Sequence, residues 1–327
     1  MVRILMLSKW HVHADGYAKF IAEQPDAKVT CVWDEDPARG EAWAKELDAA
    51  FEPDLQKAVN REDVDAVIVD TPTTMHREVI VAAAEAGKHI FTEKALATTL
   101  KDCDIIAEAV EKAGVKFCIS YPHLTNPLYT LCKRLIESGQ LGKIHYMRFR
   151  NAHNGALAGW LPQYWYDMDA TGGGAMMDLG CHPMYVAPYL LGKPKRITSV
   201  FNTTYAPAGD DNAVSVAEFE NGAIAVLETS FISPYDAGCF ELLGTEGAVI
   251  SIPSATGGEI KIRTKGDSKE WRKPDEMPKP PPQPLRMWLD GITKGSPILF
   301  DMDMAKALTE MLENAYISHE TGKVVKV

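Results

Sequence analysis

AVIVDTPTTMHREVIVAAAEAGKHIFTEK, residues 66–94, decides the fold. Ala66–Asp70 is a short, β-branched apolar run of the kind that forms a buried strand. A helical stretch follows from about Met75 to Ala86 and stops at Gly87, and His89–Thr92 is a second buried strand. Neighbouring strands joined through a helix lie parallel, because a parallel pair needs a long crossover and an antiparallel pair does not. The same rhythm extends outward in both directions. Upstream lie Val2–Leu7 (VRILML) and Lys28–Trp33 (KVTCVW); downstream lies Lys116–Ser120 (KFCIS). The clearest helix is Thr99–Ala113, with Leu100, Cys103, Ile106, Ala107 and Val110 at helical spacing and Gly114 to close it. Such alternation predicts a doubly wound parallel α/β sheet over residues 1–121.

After about residue 122 the rhythm changes. Asn126–Ser138 reads as a helix and Lys143–Asn151 (KIHYMRFRN) as a strand with one wet face. From Ile197 to Arg263 come ITSVF, VSVAEF, AIAVLETSF, CFELLG and AVISI, split by turn signals at Asn221-Gly222 and Gly257-Gly258. No long helix interrupts them, so an open, mostly antiparallel sheet is expected. Lys279–Pro284 (KPPPQP) is a stiff connector, and a C-terminal helix is expected at about 303–318. Residues 122–327 are thus expected to form a second, α+β domain for substrate binding and oligomerisation.

A chain of 327 residues exceeds one hydrophobic core, which also predicts two domains. The net charge of -11 argues against a nucleic-acid partner. Six scattered cysteines, with no CxxC and no metal-ligand spacing, suit a reducing compartment. No window approaches a membrane span and no signal peptide is visible, so the expected address is the cytoplasm, with no membrane partner.

Ligands of doubly wound sheets bind at the carboxyl ends of the strands, where strand order reverses. The first strand normally turns there through GxGxxG, whose amides hold a pyrophosphate. Here Ser8-Lys9-Trp10-His11-Val12-His13-Ala14-Asp15-Gly16 stands instead. Other features favour a dinucleotide. Asp34 follows the second strand, where a carboxylate accepts both ribose hydroxyls of NAD and repels the 2′-phosphate of NADP. NAD is therefore favoured over NADP, with Arg39 nearby pulling the other way. Thr71, Pro72, Thr73 and His76 place small polar groups at the same edge. Ser8, Trp10, His11 and Val12 are expected cofactor contacts, with Lys9 and the amides of His11 and Val12 meeting the pyrophosphate.

Thr92-Glu93-Lys94-Ala95 ends another strand at that edge. In GGGAMMDLGCHP (172–183), Asp178 and His182 stand four apart, so any one helix through them puts both on one face. Pro183 and Pro188 would each break that helix. An apolar setting for an Asp–His pair suggests a pair that is used.

Together these stretches resemble the Gfo/Idh/MocA oxidoreductases, which include inositol dehydrogenases and glucose–fructose oxidoreductase. The matching segments are TPTTMH (71–76), AGKHIFTEKALA (86–97), SYPHLTNP (120–127), LIESGQLGKI (135–144), GGGAMMDLGCHP (172–183) and SHETGKVVKV (318–327). The resemblance implies a Rossmann domain, NAD as cofactor, and a homo-oligomer (dimer or tetramer). It implies Lys94 beside nicotinamide and substrate, with Glu93 next to it, and Asp178 and His182 completing the catalytic set. The expected reaction passes hydride to or from a hydroxyl-bearing carbon of a sugar or cyclitol. His182 would move the proton, Lys94 would stabilise the alkoxide, and Asp178 would orient the imidazole or hydrogen-bond a neighbouring hydroxyl. Tyr121, His123, His153 and Trp165 are the expected substrate contacts.

Two departures stand out. The family's glycine-rich turn is missing, and its usual proline after the lysine is Ala95, so a trans Lys94–Ala95 bond is expected. Three other readings stay open. Bound NAD could serve a redox-neutral glycoside cleavage or elimination. His11 and His13 could ligate zinc in a hydrolase if further ligands lay close, although no metal site is expected. The chain could also be a non-catalytic sugar or nucleotide sensor.

Overall fold

β1 (Val2–Leu7) pairs in parallel with β2 (Ala27–Trp33) on one side and β4 (Ala66–Val69) on the other. The computed structural model describes residues 1–234, 238–252, 258–267 and 270–327. Within them β3 (Ala50–Phe51), β5 (His89–Thr92) and β6 (Phe117–Ile119) complete a six-stranded parallel sheet, in the order β3-β2-β1-β4-β5-β6. β4 is buried at all four residues, as a strand covered by helices on both faces must be. The chain runs out from β1 to β3 and returns to β4, so strand order reverses between β1 and β4.

The helices end where local chemistry says they should. Leu100–Ala113 is capped by Thr99, which accepts from the Asp102 amide, and closed by Gly114 at φ +65. Cys103, Ile106 and Val110 face the core. The helix expected from Met75 runs over His76–Glu85, after a single tight turn at Thr73–Met75.

The second sheet has eight strands among the described residues: β7 (Ile144–Ala152), β8 (Pro194–Asn202), β9 (Asn212–Phe219), β10 (Ile224–Ser230), β11 (Cys239–Gly244), β12 (Ala248–Ile252), β13 (Glu259–Arg263) and β14 (Val325–Lys326). Their order is β13-β12-β11-β7-β10-β9-β8-β14. Every pairing is antiparallel except β7 with β10. Asn221-Gly222 makes the β9–β10 hairpin, whereas Gly257 of the second turn signal lies outside the described residues. No helix among the described residues is long and apolar enough to cross a membrane.

Two compact units result: residues 1–121 with 282–309, and residues 122–281 with 310–327. A single cut after Tyr121 therefore does not describe the chain. The helix Pro284–Lys294 returns to the first unit because its apolar face is buried there: Trp288 lies 5.8 Å from the Phe91 ring, and Arg286 makes a double hydrogen bond to Asp26 at 2.9 and 2.7 Å. The C-terminal helix is Met302–Thr321, longer at both ends than expected.

Candidate functional site

In the first unit the carboxyl edge of the sheet collects the expected residues. β1 ends at Ser8, which is fully buried and takes a left-handed conformation (φ +78) that glycine more often supplies. Asp70-Thr71 follows β4, and Glu93-Lys94 follows β5. His76 bridges two parts of this edge, its Nδ1 lying 3.2 Å from the Leu96 carbonyl and its Nε2 3.2 Å from that of Thr71. Burial pushes that imidazole below its ordinary range despite both carbonyls. Its ring is thus spent on holding backbone. The Lys94–Ala95 peptide is cis, not trans as alanine led us to expect; Ala95, Leu96 and Ala97 are all buried, so the surroundings and not the residue's own preference decide it.

Where glycines would stand, a polar cluster has grown. Glu93, 1% exposed, faces His13 Nδ1 at 2.9 Å and His11 Nε2 at 3.9 Å, and it accepts from the Tyr17 hydroxyl and from the Lys94 amide. Tyr17 Oη also lies 2.7 Å from Ser120 Oγ. Burial alone would raise Glu93; the charges of His11, His13 and Lys94 and the His13 hydrogen bond outweigh it and hold the carboxyl well below the usual range. Asp70 is the opposite case. It is fully buried, neither oxygen has a hydrogen-bond partner among the described residues, and burial followed by the Glu93 charge pushes it well upward.

Does this edge suit a dinucleotide? The switch point, the left-handed Ser8 and the buried Thr71 hydroxyl, which lacks a partner among the described residues, all fit. The turn amides are largely used internally: Lys9 to Asp34, Trp10 to Ser8 Oγ, His11 to the Asp70 carbonyl and His13 to His11 Nδ1. Asp34 does not present the open carboxylate expected for a ribose, because Arg39 donates to it twice, at 2.6 and 3.0 Å. Trp10 is buried, while Val12 is exposed. Pro72 and Thr73 stay at the edge as expected, both buried.

In the second unit, the glycine run is fastened by a residue that sequence reading missed. Asp210 accepts from the amides of Gly174 (3.1 Å) and Met176 (2.7 Å) and from Tyr316 Oη (2.8 Å). A Cβ on Gly174 would lie 2.1 Å from the Asp210 carbonyl oxygen, which explains the glycine. Asp178 ends the short helix Ala175–Asp178, and His182 is the second residue of a separate helix, Cys181–Leu191. They do not share one helix face as their spacing predicted, because the helix breaks at Leu179-Gly180. Pro183 is no break either: it sits in the first turn, where its missing amide has no intrahelical partner to lose.

His182 is held firmly. Its Nδ1 is 2.8 Å from Tyr185 Oη, which also accepts from the His123 amide at 3.2 Å, and its ring stacks on His123 at 4.3 Å. His153 stacks on Phe231 at 5.3 Å and touches Trp160. Burial lowers the His153 imidazole, while the Asp178 charge pulls it back up, so these two sense each other. Trp165 is buried. Tyr121 belongs to the first unit, fully buried, with its hydroxyl donating to the Met304 carbonyl. Tyr185 had a readable signal, three residues after His182 in a helix; Asp210 and Tyr17 had none, since their partners are distant in sequence.

Comparison with known proteins agrees with this architecture. Residues 12–121 match the oxidoreductase family with an NAD-binding Rossmann fold, and residues 129–250 match the GFO/IDH/MocA C-terminal domain. The first match begins at residue 12, within the turn after β1 where the glycines are missing. A scyllo-inositol 2-dehydrogenase (NAD(+)) of Bacillus subtilis (strain 168) is 32% identical over 74% of each chain. A 2,7-anhydro-N-acetylneuraminate hydratase of Mediterraneibacter gnavus is 30% identical over 75% of this chain and 66% of its own. Levoglucosan dehydrogenase, solved with NADH and levoglucosan, superposes with a TM-score of 0.86 at 19% identity, covering 100% of this chain and 99% of the other. The chain therefore belongs to the GFO/IDH/MocA oxidoreductases and carries their NAD-binding Rossmann domain.

Proposed function

We propose that this chain catalyses NAD-linked oxidation or reduction at a hydroxyl-bearing carbon of a sugar or cyclitol, with Lys94, Asp178 and His182 as its catalytic residues. The cofactor supplies or accepts the hydride; the chain must supply the proton and the charge. The observation that carries the reading is the clamp on His182. A base at Nε2 needs its proton on Nδ1, donated to Tyr185 Oη, and that oxygen has two lone pairs to accept both this proton and the His123 amide. Lys94, as an ammonium, would stabilise negative charge developing on the substrate oxygen. Asp178 would fix a neighbouring hydroxyl or His153, whose ring its charge already reaches.

The test is direct. Purified protein is incubated with NAD and a panel of inositols and anhydrosugars, and reduced nicotinamide is followed by its absorbance alongside product mass. Lys94→Ala and His182→Ala should each lower kcat by at least about 100-fold. Absence of any reduced nicotinamide or altered sugar across the panel would sink the reading.

A second reading is supported by the hydratase relative: redox-neutral chemistry, with a sugar oxidised transiently and reduced again on the same NAD. It predicts product that depends on NAD without net NADH. A cytoplasmic setting belongs to the proposal, and the six cysteines free of disulfides suit it. So does a homo-oligomer, for which the exposed Val200, Val214, Val216 and Ile224 on one face of β8–β10 offer an apolar surface.

A further inference from the structure

We propose that His11, His13 and Glu93 form a binding site for a divalent transition-metal ion of the zinc class. This goes beyond the hydride-transfer reading and rests on different residues. Two imidazoles and a carboxylate are the donor set such an ion prefers, and calcium or magnesium would want oxygen alone. One ligand atom from each residue can be chosen so that all lie within 4.8 Å of one another. In a tetrahedral site with bonds of about 2.0–2.1 Å, neighbouring ligand atoms stand about 3.4 Å apart. His13 Nδ1 lies 2.9 Å from Glu93 Oε1 and His11 Nε2 lies 3.9 Å from Glu93 Oε2, so each imidazole faces its own oxygen of the carboxylate.

The ligands are placed by the fold. His11 and His13 sit on the turn after β1, their rings 4.7 Å apart, and the His11 amide is tied to the Asp70 carbonyl at 3.0 Å. Glu93 follows β5, two strands along, and is buried.

A second observation points to a cation. Asp70 follows β4, the strand between the other two, with its carboxyl fully buried and neither oxygen partnered among the described residues. It is near enough for charge interaction with Glu93 and Tyr17. A hydrogen-bonded cage around Glu93 accounts for His13 and Tyr17, yet it leaves both Asp70 oxygens without a hydrogen bond among the described residues. A buried carboxyl without a partner is costly, and a dication held by Glu93, whose charge reaches Asp70, lowers that cost.

Loading balances in protons. His11 Nδ1 lies 3.2 Å from the His13 amide nitrogen and accepts from it when the ring is neutral, its proton then standing on Nε2. Binding at Nε2 moves that proton to Nδ1 and gives up the amide contact. Binding at Nδ1 of His13 moves its proton to Nε2, on a side chain 45% exposed to water.

The experiment uses the untagged full chain, stripped with chelator, reloaded with zinc chloride and desalted, with metal read by atomic emission. One zinc per chain is expected. His13→Ala, on a half-exposed side chain, and Glu93→Gln should each weaken zinc by about 100-fold, with circular dichroism confirming the fold. Cobalt(II) in place of zinc should show ligand-field absorption of nitrogen and oxygen donors without thiolate charge transfer. No stoichiometric metal, folded variants that keep it, or a thiolate band assigning it to cysteine would overturn the site. Metal is read without NAD or substrate, so failure here and failure of the dehydrogenase assay are told apart.

Discussion

Arg39 grips Asp34 through two parallel hydrogen bonds, Nη2 to Oδ1 at 2.6 Å and Nε to Oδ2 at 3.0 Å, and the amides of Lys9 and Asp36 complete the set at 2.9 and 2.8 Å. A carboxylate offers about four lone-pair sites, and all four are taken. Asp34 thus cannot discriminate between dinucleotides as an open carboxylate would, and its repulsion of a 2′-phosphate is offset by the guanidinium beside it.

Cofactor preference should therefore turn on Arg39. Arg39→Ala is expected to weaken NADP(H) by about 10-fold or more, the loss of one charge-assisted hydrogen bond, while NAD(H) binds as well or better because Asp34 is released toward the ribose. Fluorescence titration of both reduced cofactors measures this. Equal losses for the two would mean that Arg39 only holds Asp34 in place.

Tyr185 should act as a positioning residue. Tyr185→Phe removes the oxygen that receives or supplies the His182 Nδ1 proton, and leaves the His123 amide without its acceptor. kcat should fall about 10- to 100-fold with KM little changed, and the ionisation of His182 in the pH profile of kcat should move. A uniform loss of activity with an unmoved profile would assign Tyr185 to packing alone.

How far the sequence could be read follows from how local each determinant is. Thr99 and Gly114 bracket a helix whose ends they themselves cap, and β4 and β5 are short buried runs, so the parallel unit was legible. The return of Leu285–Trp288 to that unit depends on Phe91 and Asp26, some two hundred residues away or more, and periodicity carries no trace of it. A separation of some 80 residues likewise hid Glu93 from His11 and His13. Asp178 and His182 were found as residues but misjudged in geometry, since the helix breaks at Leu179-Gly180, where the Leu179 carbonyl accepts from Asn151 Nδ2 at 3.2 Å.

Acid stability offers a cleaner electrostatic test. Arg3 makes a double hydrogen bond to Asp65, at 2.9 and 2.6 Å, and this outweighs the cost of burial to bring the Asp65 carboxyl down to about 2. A carboxylate depressed in the fold stabilises it above its unfolded value and loses that contribution as pH falls through the folded one. Urea unfolding of wild type against Asp65→Asn should show a modest difference at pH 7, modest because both side chains are over a third exposed, and the gap should shrink between about pH 4 and pH 2. A gap independent of pH would show that shape, not charge, makes the contact.

Gly174 and Gly16 should respond in opposite directions to one methyl group. A Cβ on Gly174 would meet the Asp210 carbonyl oxygen at 2.1 Å and its amide nitrogen at 2.5 Å, both backbone atoms that cannot swing aside. Gly174→Ala must therefore push Asp210 off the amides of Gly174 and Met176, which fasten the short helix ending at Asp178. A destabilisation of about 1–3 kcal/mol is expected from the overpacking, together with a lowered kcat. Gly16 lies inside the helix Ala14–Ala22 with nothing within 4 Å of where its Cβ would stand. Gly16→Ala should stabilise the chain by about 0.5–1 kcal/mol, since alanine loses less backbone freedom in a helix. Urea midpoints of the two variants, measured side by side with turnover, decide it. A Gly174→Ala protein as stable and active as wild type would show that Asp210 does not set the position of Asp178.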